Sequence, residues 1–118
     1  MTLGARCDTI EECYEFMLAY AAQGLPSDAG SQARDYLGRA VTALTGIEGA
    51  CEAESVGPAF TAVVERDAAS SRAAIELVLS QPAISSQLID NLNASIHLRA
   101  LLTDLFLIDE ILKLRQVR

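Results

Sequence analysis

The chain contains no tryptophan, one histidine and one lysine, and aromatic residues make up only 5% of it. Each scarcity narrows what the protein can do. Nucleic-acid binding relies on Lys and Arg to neutralise phosphates, and a formal charge of -7 with Lys113 as sole lysine argues against it. Anionic membrane surfaces are disfavoured for the same reason. No uninterrupted apolar run reaches the roughly 18 residues of a membrane span. Met1 to Asp8 has no apolar stretch behind Arg6, so no secretory signal is expected. Cys7, Cys13 and Cys51 are an odd count in such a chain and read as reduced thiols in a cytoplasm.

What is present points to helices. Hydrophobic residues make up 51% of the 118 positions, enough for the core of one domain spanning 1–118. Ala and Leu dominate that fraction, and both are strong helix formers. Arginine in place of lysine, with many alanines, suits a GC-rich bacterial genome. Charge is unevenly spread: Met1–Glu54 holds nine acidic and three basic residues, whereas Ser55–Arg118 holds seven and six. A negative first half can steer a basic protein partner, or it can serve only as solvated surface.

Read along the chain, a flexible stretch of about residues 1–8 precedes a first helix. Asp8 with Glu11, or Thr9 with Glu12, offers a capping box, and Glu11, Glu12 and Glu15 then occupy the first turns. Ile10, Cys13, Met17 and Tyr20 recur at helical spacing, and Gly24 supplies the stop. A second helix, capped by Ser27, Asp28 or Ser31, carries Ala33, Tyr36, Leu37, Ala40, Val41 and Leu44 on one face. Asp35 and Arg39 form an i,i+4 pair on the other. Gly46 ends it, and about 48–57 reads as a connector with room for a short helical turn.

Pro58 opens the next helix, whose face is Phe60, Val64, Ala68, Ser71, Ile75 and Val78. Its small, polar middle predicts a bend or a close approach to a neighbour. Gln81-Pro82 ends it. The remainder is helical, divided near Asn91–Asn93, with Asp90 or Asn93 available to cap the final helix. The expected fold is therefore all-α: a small bundle of four to five helices, up-and-down or nearly so.

The final helix, read over Ile96–Val117, has two apolar faces. Leu98, Leu101, Leu102, Leu105, Ile108 and Leu112 form one; Ile96, Ala100, Leu107, Ile111 and Leu114 form the other. His97, Asp104 and Arg115 separate them on one side, and Arg99, Thr103 and Glu110 on the other, with Phe106 beside this second seam. Such a helix either has neighbours on both sides within its own bundle or meets a second chain. In a bundle this small few positions are fully surrounded, so a homodimer through the second face is the expectation.

Catalytic and metal-binding patterns are missing. His97 has Ala94 three residues before it, which rules out a Glu-x-x-His pair. The cysteines lack the tight spacing of zinc ligands, and Cys13 falls on an apolar stripe as an inert thiol would. His97 and Asp104 read as a surface ion pair. Gly46, Gly49 and Gly57 form no phosphate-binding pattern. No catalytic, cofactor-binding or metal-ligating residue is assigned, and no cofactor is expected. Leu107-Ile108-Asp109-Glu110-Ile111-Leu112 resembles the opening helix of helical chorismate mutases, which implies a small helical dimer. The downstream basic residues of such a site do not follow it.

The function these features favour is a non-enzymatic acidic interaction protein: an adaptor, inhibitor, immunity-type protein or chaperone. It would self-associate through the last helix and offer Glu11, Glu12, Glu15, Glu48, Glu52 and Glu54 to a basic partner. In an antiparallel helix pair these two clusters share one end of the bundle. The rival is a small helical enzyme or ligand-binding domain with an inter-helix pocket using Arg34, Tyr36, Arg72 and Arg99.

Overall fold

The structure, a computed structural model, describes residues 1–116; Val117 and Arg118 lie outside the described residues. Among the described residues six helices follow one another: α1 Leu3–Ala21, α2 Ala33–Leu44, α3 Ile47–Ala53, α4 Pro58–Leu79, α5 Ser86–Ala94 and α6 Ile96–Gln116. The all-α class is as expected, and the helix count is higher than four to five. The difference arises at the connector, where Ile47 and Cys51 are both fully buried. One turn apart on a helix, they anchor α3 while Glu52 and Glu54 stay in solvent.

The start of α1 is the second difference. Thr2 accepts the Ala5 amide on its hydroxyl at 3.1 Å, and the helix runs from Leu3. Leu3 and Cys7 are 1% and 0% exposed and continue the stripe of Ile10, Cys13, Met17 and Tyr20 backwards. Burying a side chain such as Leu3 is worth about 1.5–3 kcal/mol, more than the box at Asp8 or Thr9 can offer. Residues 3–8 are therefore helical, and Thr9 donates its hydroxyl to the Ala5 carbonyl within the helix.

Three arginines close helix ends from a distance. Arg6 donates to the carbonyls of Ala43 and Thr45 at the end of α2, at 2.9 and 2.7 Å. Arg34 does the same for Leu79 and Gln81 at the end of α4, at 2.9 and 2.7 Å. Arg115 donates to Glu54 at the end of α3, at 2.6 Å. The last carbonyls of a helix have no partner within it, and a guanidinium fork can serve two at once.

The helices are arranged around two long ones. α2, α3, α5 and α6 each pack against both α1 and α4, and all six contribute to one buried cluster. Ser71, in the small-residue middle of α4, donates its hydroxyl to the His97 carbonyl at 2.9 Å, so α4 and the start of α6 come close there. The division before α6 falls at Ser95, not at Asn91–Asn93, because Leu92 is buried and keeps α5 helical through that point. The Ser95 hydroxyl, rather than Asp90 or Asn93, receives the Leu98 amide, at 3.4 Å.

A compact hydrogen-bond knot joins α1 to α5. The Tyr20 hydroxyl donates to the Ile84 carbonyl at 2.7 Å. The Ser86 hydroxyl donates to the Tyr20 carbonyl at 2.7 Å and accepts the Leu25 amide at 2.8 Å. The Ser86 amide completes the set by donating to the Leu25 carbonyl at 2.8 Å. The Tyr20 and Ser86 hydroxyls are both buried, and these bonds leave neither without a partner.

Candidate functional site

α6 places one of its apolar faces inward. Leu98, Leu101, Leu102, Leu105 and Ile108 are buried against α1, α4 and α5. The opposite face is left open: Ile96 is 76% exposed, Leu114 60%, Leu107 52% and Ile111 41%, with Ala100 half-buried. Phe106, on the neighbouring edge, is 49% exposed. Neighbours on both sides within the chain are thus not what the fold builds. A run of large apolar side chains in water along one helix is a feature that usually marks a contact surface.

Beside this face lies an apolar groove of about 260 Å³, between the start of α4 and the second half of α6. Val56 and Phe60 form one wall, and Leu107, Ile111 and Leu112 the other. Arg115 forms its rim, held in place by its bond to Glu54.

The acidic residues are distributed differently from the expectation. Because α1 begins at Leu3, its first turn contains no carboxylate, and Glu11, Glu12 and Glu15 lie further along the helix. Glu11 faces α6: burial and the nearby Asp109 and Asp8 raise its pKa, and Lys113 opposes them. Lys113 is ion-paired to Asp109 at 3.0 Å. The cluster thus contains the chain's one lysine. Glu48 and Glu52 sit on α3 beside Cys51, with Arg6 also nearby. α1 packs against α3, with Cys7 and Cys51 both buried and near enough for charge on one to be felt by the other. Glu15 lies two further turns along α1, away from that junction.

Potential nucleophiles are enclosed. Burial, then Asp109, Glu11 and Asp8, pushes the Cys7 thiol up to about 12. Burial does the same to Cys13, also to about 12, against the opposing charge of Arg39. Cys51 is raised too, by burial and then by Glu48. Thiols in this state are protonated at neutral pH and react slowly. No group of three or more His, Cys, Asp or Glu side chains suited to a metal ion occurs among the described residues.

Arg34, Tyr36, Arg72 and Arg99 do not converge on one cavity. Arg34 is occupied at the end of α4. Tyr36 stacks on Phe16 at 4.3 Å between ring centroids, under the Arg39 guanidinium. Arg72 reaches Thr45 and Glu76. Arg99 stands on the edge of the open face of α6.

A roomier cleft with partly polar walls lies elsewhere, between the end of α1 and α5. It measures about 580 Å³ and is lined by Leu18, Leu25, Pro26, Ser85, Gln87 and Asn93, among others. The enclosed Asn93 Oδ1 has no hydrogen-bond partner.

Sequence spacing also missed a carboxyl pair. Asp104 does not pair with His97; it faces Asp67 on α4. Burial, then the hydrogen bond and charge of Asp67, pushes the Asp104 carboxyl up to about 7, against the pull of Arg66. Its Oδ2 is fully enclosed and without a donor. Two carboxyls this close repel each other when both are ionised, and burial adds to the penalty, so Asp104 favours its protonated form.

Comparison of the chain with family models, with curated proteins and with solved structures yields no match.

Proposed function

We propose that this protein is a non-enzymatic acidic interaction protein (an adaptor, inhibitor, immunity-type protein or chaperone) that pairs with a second copy through the outer face of α6. The observation that carries this reading is the open apolar stripe of Ile96, Leu107, Ile111 and Leu114 opposite the buried Leu98, Leu101, Leu102, Leu105 and Ile108. Water contact with such a stripe is relieved when an identical stripe covers it, and two-fold pairing is the commonest closed way to do so. Buried, protonated thiols and dispersed arginines support a binding role over a catalytic one. The surplus of carboxylates on α1 and α3 supports a basic protein as the further partner.

The test is the mass of the protein in solution. At micromolar concentration, light scattering should return a dimer for the native chain and a monomer of unchanged helical content for Ile111→Glu. A native chain that is a monodisperse monomer would sink the proposal.

One observation favours a ligand-binding reading as the second choice: the 580 Å³ cleft with its unpartnered Asn93 carbonyl oxygen. Its size falls within the range of small-molecule pockets. A fragment screen read by NMR would support it with shifts confined to Leu18, Ser85, Gln87 and Asn93. The absence of any such cluster of shifts would remove it.

A further inference from the structure

The outer face of α6 has charged edges, and these restrict how a second copy can lie on it. At about 100° per residue, Ile96, Ala100, Leu107, Ile111 and Leu114 fall within one narrow stripe. Arg99 and Glu110 lie together on one edge of that stripe, about three turns apart, with Phe106 between them. His97, Asp104 and Arg115 lie on the other edge.

Pattern alone permits two arrangements. In a parallel pair, edge residues meet those five positions further along the facing helix. Arg99 would then meet Asp104, and Glu110 would meet Arg115. In an antiparallel pair, like edges face each other, and Arg99 of each copy meets Glu110 of the other.

The structure separates these options. Asp104 is turned to Asp67 of its own chain, and its Oδ2 is enclosed. Arg115 is committed to the Glu54 carbonyl. The partners that Arg99 and Glu110 would need in the parallel arrangement, Asp104 and Arg115, are therefore engaged within their own chain. Arg99 and Glu110 are exposed, and the ion pairs among the described residues do not include either.

We infer that two copies pair antiparallel through α6, in a register with Ile96 opposite Leu114, Ala100 opposite Ile111 and Thr103 opposite Leu107. This rests on the self-association proposed above and adds the orientation. In this register Arg99 of each copy meets Glu110 of the other at both ends of the contact. Phe106 then lies near the two-fold axis on the same edge, where its exposed ring meets its own copy. Asp104 approaches the axis on the far edge, but its carboxyl is directed into the α4 contact.

Charge reversal and cross-linking test the orientation together. Arg99→Glu alone, or Glu110→Arg alone, breaks two symmetry-related pairs and puts like charges together, so the dimer should weaken about tenfold. The double variant should regain native affinity. A mixture of Ile96→Cys protein with Leu114→Cys protein should form a disulfide-linked dimer on mild oxidation, whereas Ile96→Cys alone should not. Cross-linking of Ile96→Cys to itself, or a double reversal no tighter than the singles, overturns the antiparallel register while leaving self-association intact. A native chain that stays monomeric in light scattering overturns both.

Discussion

Arg34 and Asp28 meet at 2.8 Å, and each carries the contact onward to a different part of the chain. Asp28 accepts the Ile84 amide at 2.8 Å on its other oxygen, while Arg34 holds the Leu79 and Gln81 carbonyls. One ion pair thereby ties the loop before α2 to both sides of the loop after α4. Lysine keeps the charge but not the planar fork, so Arg34→Lys should lower the melting temperature nearly as much as Arg34→Ala. A drop of about 4–8 °C is expected for each. A lysine variant as stable as the native protein would show that charge alone matters here.

The same carboxylate makes a prediction at acid pH. The Ile84 amide, followed by Arg34, holds the Asp28 pKa below the ordinary carboxylate range. A depressed pKa means that the folded state binds this proton less readily than the unfolded chain. Its stabilisation is therefore present above pH 4 and is lost as pH falls through the folded value. Asp28→Asn should be less stable than the native protein at pH 7, and the difference should shrink by pH 2–3. Denaturant midpoints across that range measure it, and a constant difference would count against the assignment.

Asp104 has the opposite sign. Its folded pKa, about 7, is above the ordinary value of 3.8, so the folded state holds this proton more tightly than the unfolded chain does. The stabilisation is full below about pH 4 and is lost as pH rises through 7. Asp104→Asn keeps a hydrogen-bond donor for Asp67 without the second charge. It should match the native protein at pH 4 and exceed it in urea midpoint at pH 8. If both proteins show the same slope from pH 4 to pH 8, Asp104 does not hold its proton in the folded state.

The joint between α1 and α5 should be rigid because each member satisfies another. Tyr20→Phe keeps the ring but leaves the Ile84 carbonyl unpaired in the interior, at a cost of about 1–3 kcal/mol. Ser86→Ala removes both an acceptor and a donor and should cost at least as much. Urea unfolding of the two variants measures this. Effects under about 0.5 kcal/mol would mean that water replaces the missing groups.

How far the sequence discloses this fold depends on the range of the interaction involved. The stripe of α2 and the two faces of α6 are legible because helical periodicity is contained within one element. Pro58, Gly24 and Gly46 mark ends for a similarly local reason; both glycines adopt the positive φ expected after a helix. The start of α1 is hidden because Gly4, Arg6 and Asp8 interrupt the pattern, and only burial reveals that Leu3 and Cys7 continue it. α3 is hidden because two apolar residues are too few to show a period. The Asp67–Asp104 pair and the three arginine clamps join positions far apart in the chain. Nothing in local spacing announces them, although the near absence of lysine is consistent with sites that require the guanidinium fork.

The acidic surface supplies the last prediction. With Lys113 among Asp109 and Glu11, the negative field on that side is partly cancelled at its centre. Glu12, Glu15 and Glu52 are exposed, and their charges reach solvent without such a neighbour in the ion pairs of the described residues. Long-range attraction accelerates encounter more than it strengthens the final complex, and salt screens it over about 10 Å at 0.1 M. An oligo-arginine peptide serves as a probe of that field. Replacing Glu12, Glu15 and Glu52 with Gln should slow its association several-fold, and Lys113→Gln should quicken it. Both differences should vanish near 0.5 M salt, while circular dichroism stays unchanged. Stopped-flow rates indifferent to the substitutions and to salt would identify these carboxylates as solvated surface with no part in recognition.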